Sequence, residues 1–332
     1  MENFLKKAAC VFLVSALVSG GAVMAAPAEI VPMGDVVGIS IAARGAIVTE
    51  LASDGGKACP AKDAGILPGD VIVKIAGESV ASCADAGKAL SGHAGEEISV
   101  TVLRGGVQKQ LFAVPADDGN GRAVLGVMLR DTMSGIGTVT YYDPETGAFG
   151  ALGHPVSDAD TGTALPLRRG IVTDAEVTGI IAGKCGEPGQ LCGEIDLGGQ
   201  KGKIEKNTDV GIYGTASFDV SGRGKIPIAA KSEITTGEVT ILSAALGDVE
   251  EYSAEITRIY SGGEREMMIK ITDERLLEAA GGIVQGMSGS PIIQNGRLIG
   301  AVTHVLVNDP ARGYAVSAER MLAEGAFAGR AA

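Results

Sequence analysis

Glycine sets the first limit on this chain. Fifty of its 332 residues are glycine, and each one inside a helix costs roughly 0.5–1 kcal/mol relative to alanine, which argues against a helical bundle. Glycine favours turns instead, and between the turns lie short runs rich in valine, isoleucine and threonine. They fall at residues 37–41, 46–48, 70–75, 98–103 and 111–114, then at 125–129, 137–142, 175–181, 202–204, 210–213, 226–230, 237–243, 252–260 and 267–271. Such spacing predicts a mainly β fold whose strands close into barrels or sandwiches. Helices are expected at residues 82–90, behind a capping Ser82, and at 317–326, where Met321 and Leu322 supply an apolar side. The polar, glycine-rich stretch 116–121 marks a boundary between a first unit, residues 27–116, and a second, residues 117–332.

The rest of the composition narrows the partners. The formal charge is -12 with the acidic groups scattered, so no surface is set up to track a phosphate backbone and nucleic acid is excluded as a partner. There is no Trp, and Phe and Tyr number six each, which leaves little aromatic surface for stacking sugars or bases.

Residues 1–26 have the layout of an export signal: Lys6 and Lys7, an uncharged stretch from Ala8, and small residues at Ala22, Ala25 and Ala26. Cleavage after Ala25 and retention as a signal-anchor are both open, because about 20 apolar residues just span a bilayer. Either way the bulk of the chain is expected outside the cytoplasm. Beyond Cys10, inside that segment, stand Cys59, Cys83, Cys185 and Cys192. The expected pairing is local, Cys59 with Cys83 and Cys185 with Cys192, with the two other connectivities and free thiols left open. The Cys185–Cys192 spacing is too wide for the usual zinc spacer and no His stands nearby, so no metal and no other cofactor is expected.

Within the first unit, Ala64-Gly65-Ile66-Leu67-Pro68-Gly69-Asp70-Val71-Ile72 followed by Ile75-Ala76-Gly77-Glu78-Ser79-Val80 resembles a PDZ domain. The resemblance implies an extended peptide added as a strand, its terminal carboxylate received by loop amides. Gly38, Ile39, Ser40 and Ile41 sit where that carboxylate-binding loop is expected, with Gly38 needed so that no Cβ blocks the ligand.

The chemistry-bearing residues lie in the second unit. Only three histidines exist, His93, His154 and His304, so a mechanism that needs imidazole as general base has few candidates. His93 reads as a solvated turn residue and His304 as a wall residue on a strand. His154, between Gly153 and Pro155, is the candidate base. Gly286-Met287-Ser288-Gly289-Ser290-Pro291 flanks a serine with glycines, which lets Ser288 project while the amides of Gly286 and Ser288 converge as an oxyanion hole. Ser290 is the rival nucleophile. For the group that orients the base, the residues alone leave Asp158, Asp174, Asp196, Asp209, Asp219, Asp248, Asp273 and Asp309 open.

Gly153-His154-Pro155-Val156-Ser157-Asp158, Gly211-Ile212-Tyr213-Gly214, the Gly281 to Pro291 stretch, and Ala301-Val302-Thr303-His304-Val305 with Val307-Asn308-Asp309-Pro310 together resemble the SpoIVB peptidases, serine peptidases of spore-forming bacteria. The resemblance implies an export segment, a PDZ domain, then a chymotrypsin-like, double β-barrel serine peptidase domain. It also implies a triad of His154, Asp273 and Ser288, Asp273 being the position in the matching Thr272-Asp273 stretch. By the same resemblance the peptidase is exported into the space between the two forespore membranes and cleaves itself in trans through the PDZ domain. There it cuts a membrane-bound inhibitor of an intramembrane metalloprotease, and a late sigma factor is activated. Two other readings stay open: a non-catalytic PDZ-containing scaffold, and an HtrA-like quality-control protease, against which the PDZ-first order speaks.

Overall fold

The computed structural model describes residues 29–52, 59–263 and 265–325. The expected export segment at residues 1–26 lies outside the described residues. The chain enters through β1 (Glu29–Pro32) and β2 (Val36–Leu51). Next come α1 (Pro60–Asp63), β3 (Val71–Ile75), β4 (Glu78–Ser79), α2 (Cys83–Leu90), β5 (Ile98–Arg104) and β6 (Val107–Ala113). A small pair, β7 (Ala116–Asp117) and β8 (Ala123–Val124), leads into β9 (Val127–Tyr142), β10 (Ala148–Ala151), β11 (Leu167–Ile181), β12 (Gln190–Thr208) and β13 (Gly211–Ala216). After β14 (Ile226–Pro227) come β15 (Gly237–Ser243), β16 (Glu250–Ile259), β17 (Met267–Ile271), α3 (Glu274–Ala280), β18 (Pro291–Gln294), β19 (Arg297–Leu306), β20 (Asp309–Ser317) and α4 (Ala318–Gly325).

Two six-stranded rings result. In the first, β2, β9, β10, β13, β12 and β11 pair in succession and back to β2. In the second, β15, β16, β17, β20, β19 and β18 form a closed barrel. The mainly β, double-barrel expectation is therefore met. Period-two burial builds the second barrel: Tyr252, Ala254 and Ile256 point inward along β16, and Met267, Ile269 and Ile271 along β17. The β18–β19 hairpin closes on Asn295-Gly296, both with positive φ, 52° and 72°, as a tight two-residue hairpin turn demands. Helix α4 ties the barrels together, with Met321 and Leu322 packed among Tyr141, Tyr213, Leu298 and Val316.

The PDZ unit grows out of the first barrel rather than preceding it. Residues 37–42 of β2 are laddered to β11 and β9 within the barrel, whereas Ala46 and Ile47 pair with β3 of the PDZ unit. β9 returns along the same path, since Val127 to Arg130 pair with the second half of β2 and Thr132 to Thr138 with its first half. The boundary expected at residue 116 is corrected accordingly: residues 36–43 belong to the peptidase barrel, and the PDZ unit is an excursion between β2 and β9. Its core, with Ile66, Ile72, Ile75, Val100 and Val102 fully buried, is separate from that of either barrel.

The described cysteines are all free, which corrects the expected pairing. Cys59 is buried with Sγ 3.3 Å from the Gly126 carbonyl oxygen. The Cys83 amide donates to Asp131 at 2.7 Å, and burial followed by the Asp131 charge pushes its thiol up to about 11. Cys185 is exposed, and Cys192 lies on β12 opposite Gly179.

Candidate active site

A cleft of ≈ 460 Å³ opens where the two barrels meet, lined by His154, Gly286, Ser288, Thr303 and His304 among others. Positions 134 apart in sequence, His154 and Ser288, thus share one cavity. The first barrel delivers His154 on the turn after β10, through Leu152 and Gly153, both at φ 71°. For leucine that conformation is strained, a kind of strain that concentrates at functional sites. Gly153 is required there, because a Cβ would stand 2.8 Å from the Thr303 side chain of the second barrel. His154 Nδ1 lies 2.8 Å from the Pro155 carbonyl oxygen. A carbonyl only accepts, so Nδ1 carries the proton and Nε2 is left as the acceptor. Burial holds the imidazole below its ordinary value, opposed by that hydrogen bond; near neutral pH it is a free base.

The second barrel delivers Ser288 on the loop between α3 and β18. Thr138 of β9 grips this loop twice, its hydroxyl donating to the Gly286 carbonyl at 2.7 Å and its amide to the Ser288 carbonyl at 3.1 Å. The Thr140 hydroxyl donates to the Gly289 carbonyl at 2.7 Å. Gly289 lets the barrels approach this closely, because a Cβ there would strike the Thr138 carbonyl oxygen. Peptide planarity then fixes the amides. The Gln285 carbonyl receives the Leu191 amide at 2.8 Å, and the Met287 carbonyl the Ser290 amide at 3.0 Å. The Gly286 and Ser288 N–H groups point the opposite way from those carbonyls, and among the described residues neither donates to a protein acceptor. Two free amides flanking a serine can receive a developing oxyanion. The Ser288 hydroxyl itself donates to the Thr303 carbonyl at 2.6 Å, so it turns about χ1 to reach an imidazole.

Several sequence expectations are relocated. Asp273 is not beside His154: it caps α3, accepting from the Arg275 and Leu276 amides, and also meets the Ser253 amide and the Arg275 guanidinium. Burial would raise its pKa, but those partners outweigh it and hold the carboxyl below the usual range. Gly38 to Ile41 form no peptide-receiving loop, because their strand is paired on both edges, Gly38 with Thr173 and with Ile136. Ile39 and Ile41 turned inward to fill the first barrel. In the PDZ unit β6 is laddered to β5 alone and residues 127–130 of β9 to β2 alone among the described strands, and it is β9 that lies beside α2, Asp131 accepting from the Cys83 amide. Ser290, the rival to Ser288, is fully buried and its hydroxyl has no partner. His93 stands in a turn, 3.1 Å from Glu96. His304 is a wall residue, but of this cleft, its ring centroid 4.8 Å from that of His154. The clamps Thr138 and Thr140 carried no sequence signal, since only the meeting of two barrels gives them their partners.

The sequence pattern of the SpoIVB peptidase S55 family matches residues 121–322, more than half of the chain. The chain belongs to the SpoIVB peptidase S55 family. Family membership assigns it serine-peptidase chemistry, and a PDZ domain pattern matches residues 52–104 of this SpoIVB-family peptidase. Two proteins described as zinc metalloproteases, from Brucella suis biovar 1 and Brucella melitensis biotype 1, are each 43% identical over 56 residues. The match spans 17% of this chain and 15% of theirs. Among solved structures, the Rv3671c protease from M. tuberculosis in its active form is 19% identical, over 61% of this chain and 76% of that one, with a TM-score of 0.32. The HtrA-type protease AlgW with a decapeptide is 17% identical, over 64% and 57%, also with a TM-score of 0.32.

Proposed function

We propose that this SpoIVB-family peptidase uses Ser288 as nucleophile and His154 as general base, with the Gly286 and Ser288 amides receiving the oxyanion. The observation that carries this reading is the shared cleft, where a serine with two free amides beside it faces a half-buried, neutral imidazole whose Nε2 is unprotonated. The Ser288 proton passes to His154 Nε2 as Oγ bonds to the peptide carbonyl carbon. The imidazolium then returns the proton to the leaving amine, and water hydrolyses the acyl-enzyme.

In the finer reading the enzyme is exported, cleaves itself in trans, and cuts a membrane-anchored regulatory protein. Made in the space between the forespore membranes, that cut frees an intramembrane metalloprotease from its inhibitor, leading to late sigma-factor activation. The signal-like N-terminus and the family support it. The PDZ unit docks the substrate, with the spare edge of β9 beside α2 as the seat for an added strand. Ser288→Ala tests the chemistry: self-trimming of the full chain, followed by mass spectrometry, is expected to disappear. Trimming that persists in the variant overturns the reading and favours a scaffold.

A further inference from the structure

The candidate base lacks the partner that serine-peptidase chemistry usually sets behind it. Among the described residues no carboxylate hydrogen-bonds or ion-pairs with His154, whose Nδ1 meets the Pro155 carbonyl alone. What lies against the ring is a second imidazole. The His304 centroid is 4.8 Å away with the two planes inclined at 39°, and both rings line the same cleft. We propose that His304 is a positioning residue for the reaction at Ser288: packed against His154, it keeps that imidazole on the cleft wall with Nε2 free and steadies the imidazolium formed when the serine proton is taken up. This rests on the reading of Ser288 and His154 given above.

A backbone carbonyl orients Nδ1–H but brings no full negative charge to the imidazolium, so the ring needs a second restraint. A cation within about 6 Å of an aromatic face is attracted to it, and His304 supplies such a face if it stays neutral. It does so. His304 is exposed on its solvent side, yet desolvation where it meets the cleft, then His154, then Arg265 push its pKa down to about 4. The charged or titratable groups facing it are therefore His154 and Arg265, with Tyr314 opposite it across the β19–β20 ladder and Arg265 stacked on Tyr314 at 4.4 Å. Its backbone is set by that ladder, so the ring is held by a strand rather than a loop. Neighbouring positions of β19 thus serve both partners: the Thr303 carbonyl holds the Ser288 hydroxyl at 2.6 Å, and the His304 ring backs the base. Throughout the cycle the proton moves from Ser288 to His154 and on to the leaving amine, and His304 neither gains nor loses one.

The test is the reaction of the full chain with diisopropyl fluorophosphate, in which an Oγ–P bond forms, fluoride leaves, and the serine proton passes through His154 to solvent. The rate of Ser288 phosphorylation is followed by mass spectrometry across pH for the wild type, His304→Ala, His304→Phe and His154→Ala. His304→Ala is expected to slow the reaction roughly ten- to a hundredfold, the scale of a misplaced catalytic group. Its acid inflection is expected to move up toward 6.5, the unperturbed value, as water reaches His154. His304→Phe keeps a ring and is expected to recover most of the rate with an inflection near that of the wild type. Ring nitrogen shifts of His154, read by NMR independently of any reaction, are expected to show the Nδ1–H tautomer in the wild type and His304→Phe, and a mixture in His304→Ala. A wild-type rate and inflection in His304→Ala, or a His154 spectrum indifferent to all His304 variants, overturns the proposal. A rate that survives His154→Ala overturns the assignment of the base instead, while the NMR spectra still decide whether His304 holds the ring.

Discussion

The Asp273 carboxylate is fully engaged by its own neighbourhood, with the Ser253 and Leu276 amides and the Arg275 guanidinium around it. Its work is to start α3, the helix that leads into the serine loop. Asp273→Asn is expected to retain activity close to wild type, because asparagine caps a helix as well as aspartate. Asp273→Ala is expected to lose about 1 kcal/mol of stability in denaturant unfolding, with the chemical step little changed. A triad aspartate behaves differently, its change to asparagine costing on the order of 10⁴ in kcat. A loss of that size in Asp273→Asn would return this residue to the catalytic machinery. The base gives a second prediction at this scale. Burial lowers the His154 pKa below 6.5, so the reactive neutral form is present above the lowered value and is lost as pH falls through it. The profile of kcat/KM is expected to be level near pH 7, with its acid limb below 6.5. Stability has the same sign, since between 6.5 and the lowered value the unfolded chain binds the proton first and acid weakens the fold. A limb above 6.5 contradicts a neutral base whose pKa is held down by partial burial.

Among the elements, the long β11–β12 hairpin of the first barrel reaches across to hold the serine loop of the second. The Gly183 amide bonds to Ala280, Leu191 to Gln285, and Gln285 in turn to Gly189. Gly189 has no room for a side chain, because a Cβ would strike the Gly183 nitrogen and the Ile181 carbonyl oxygen and stand 2.8 Å from the Val284 side chain. Gly189→Val is expected to push the hairpin end off Gln285 and release the Gly286 amide. Loss of one oxyanion donor lowers kcat by about 10²–10³, measured on a peptide the wild type cleaves, while the core of each barrel keeps its thermal transition. An unchanged kcat removes the hairpin from the site. Local patterns revealed the parts of these elements but not their continuity. The strand at residues 237–243, the Asn295-Gly296 turn and the helix behind Ser82 were legible, because each is set by neighbours in sequence. β9 was not: Gly135 and Gly137 break its alternation, so one 16-residue strand reads as two runs. Gly137 is there because Ile39 and Leu152 fill the space its side chain would take, a tertiary cause that no window of sequence shows. Glycine and proline flanks singled out Ser288 and His154 as candidates, and the two share one cleft. The group behind His154 was not, since His304 meets it only when the barrels close.

At the scale of the whole molecule, two strands belong to two units at once, and this governs how the protein comes apart. β2 and β9 run side by side from the PDZ sheet into the first barrel. Side chains stitch the junction as well: Arg130 of β9 meets the buried Asp158 at 2.5 Å, and the Thr163 hydroxyl donates to the Gly69 carbonyl at 3.3 Å. Burial alone would raise the Asp158 pKa, but the Thr161 amide and Arg130 more than offset it and hold the carboxyl below its ordinary 3.8. That contribution to stability is present above pH 3.8 and is lost as pH falls through the lowered value. A cut at residue 117 takes β2 away from the barrel, opening the ring and leaving β9 and β11 with bare edges and Ile204, Val139 and Phe149 without the Ile39 and Ile41 they pack with. Residues 117–332 alone are therefore expected to aggregate or to lack a cooperative unfolding transition. A chain in which residues 44–130 give way to a two-residue Asn-Gly turn is expected to behave otherwise. There Ala42 still faces Thr132 in register, so a tight hairpin can rejoin β2 to β9, and the ring closes without the PDZ unit. Circular dichroism and calorimetry on the two chains decide the matter: a cooperative transition in residues 117–332 alone would mean that the first barrel can close without β2.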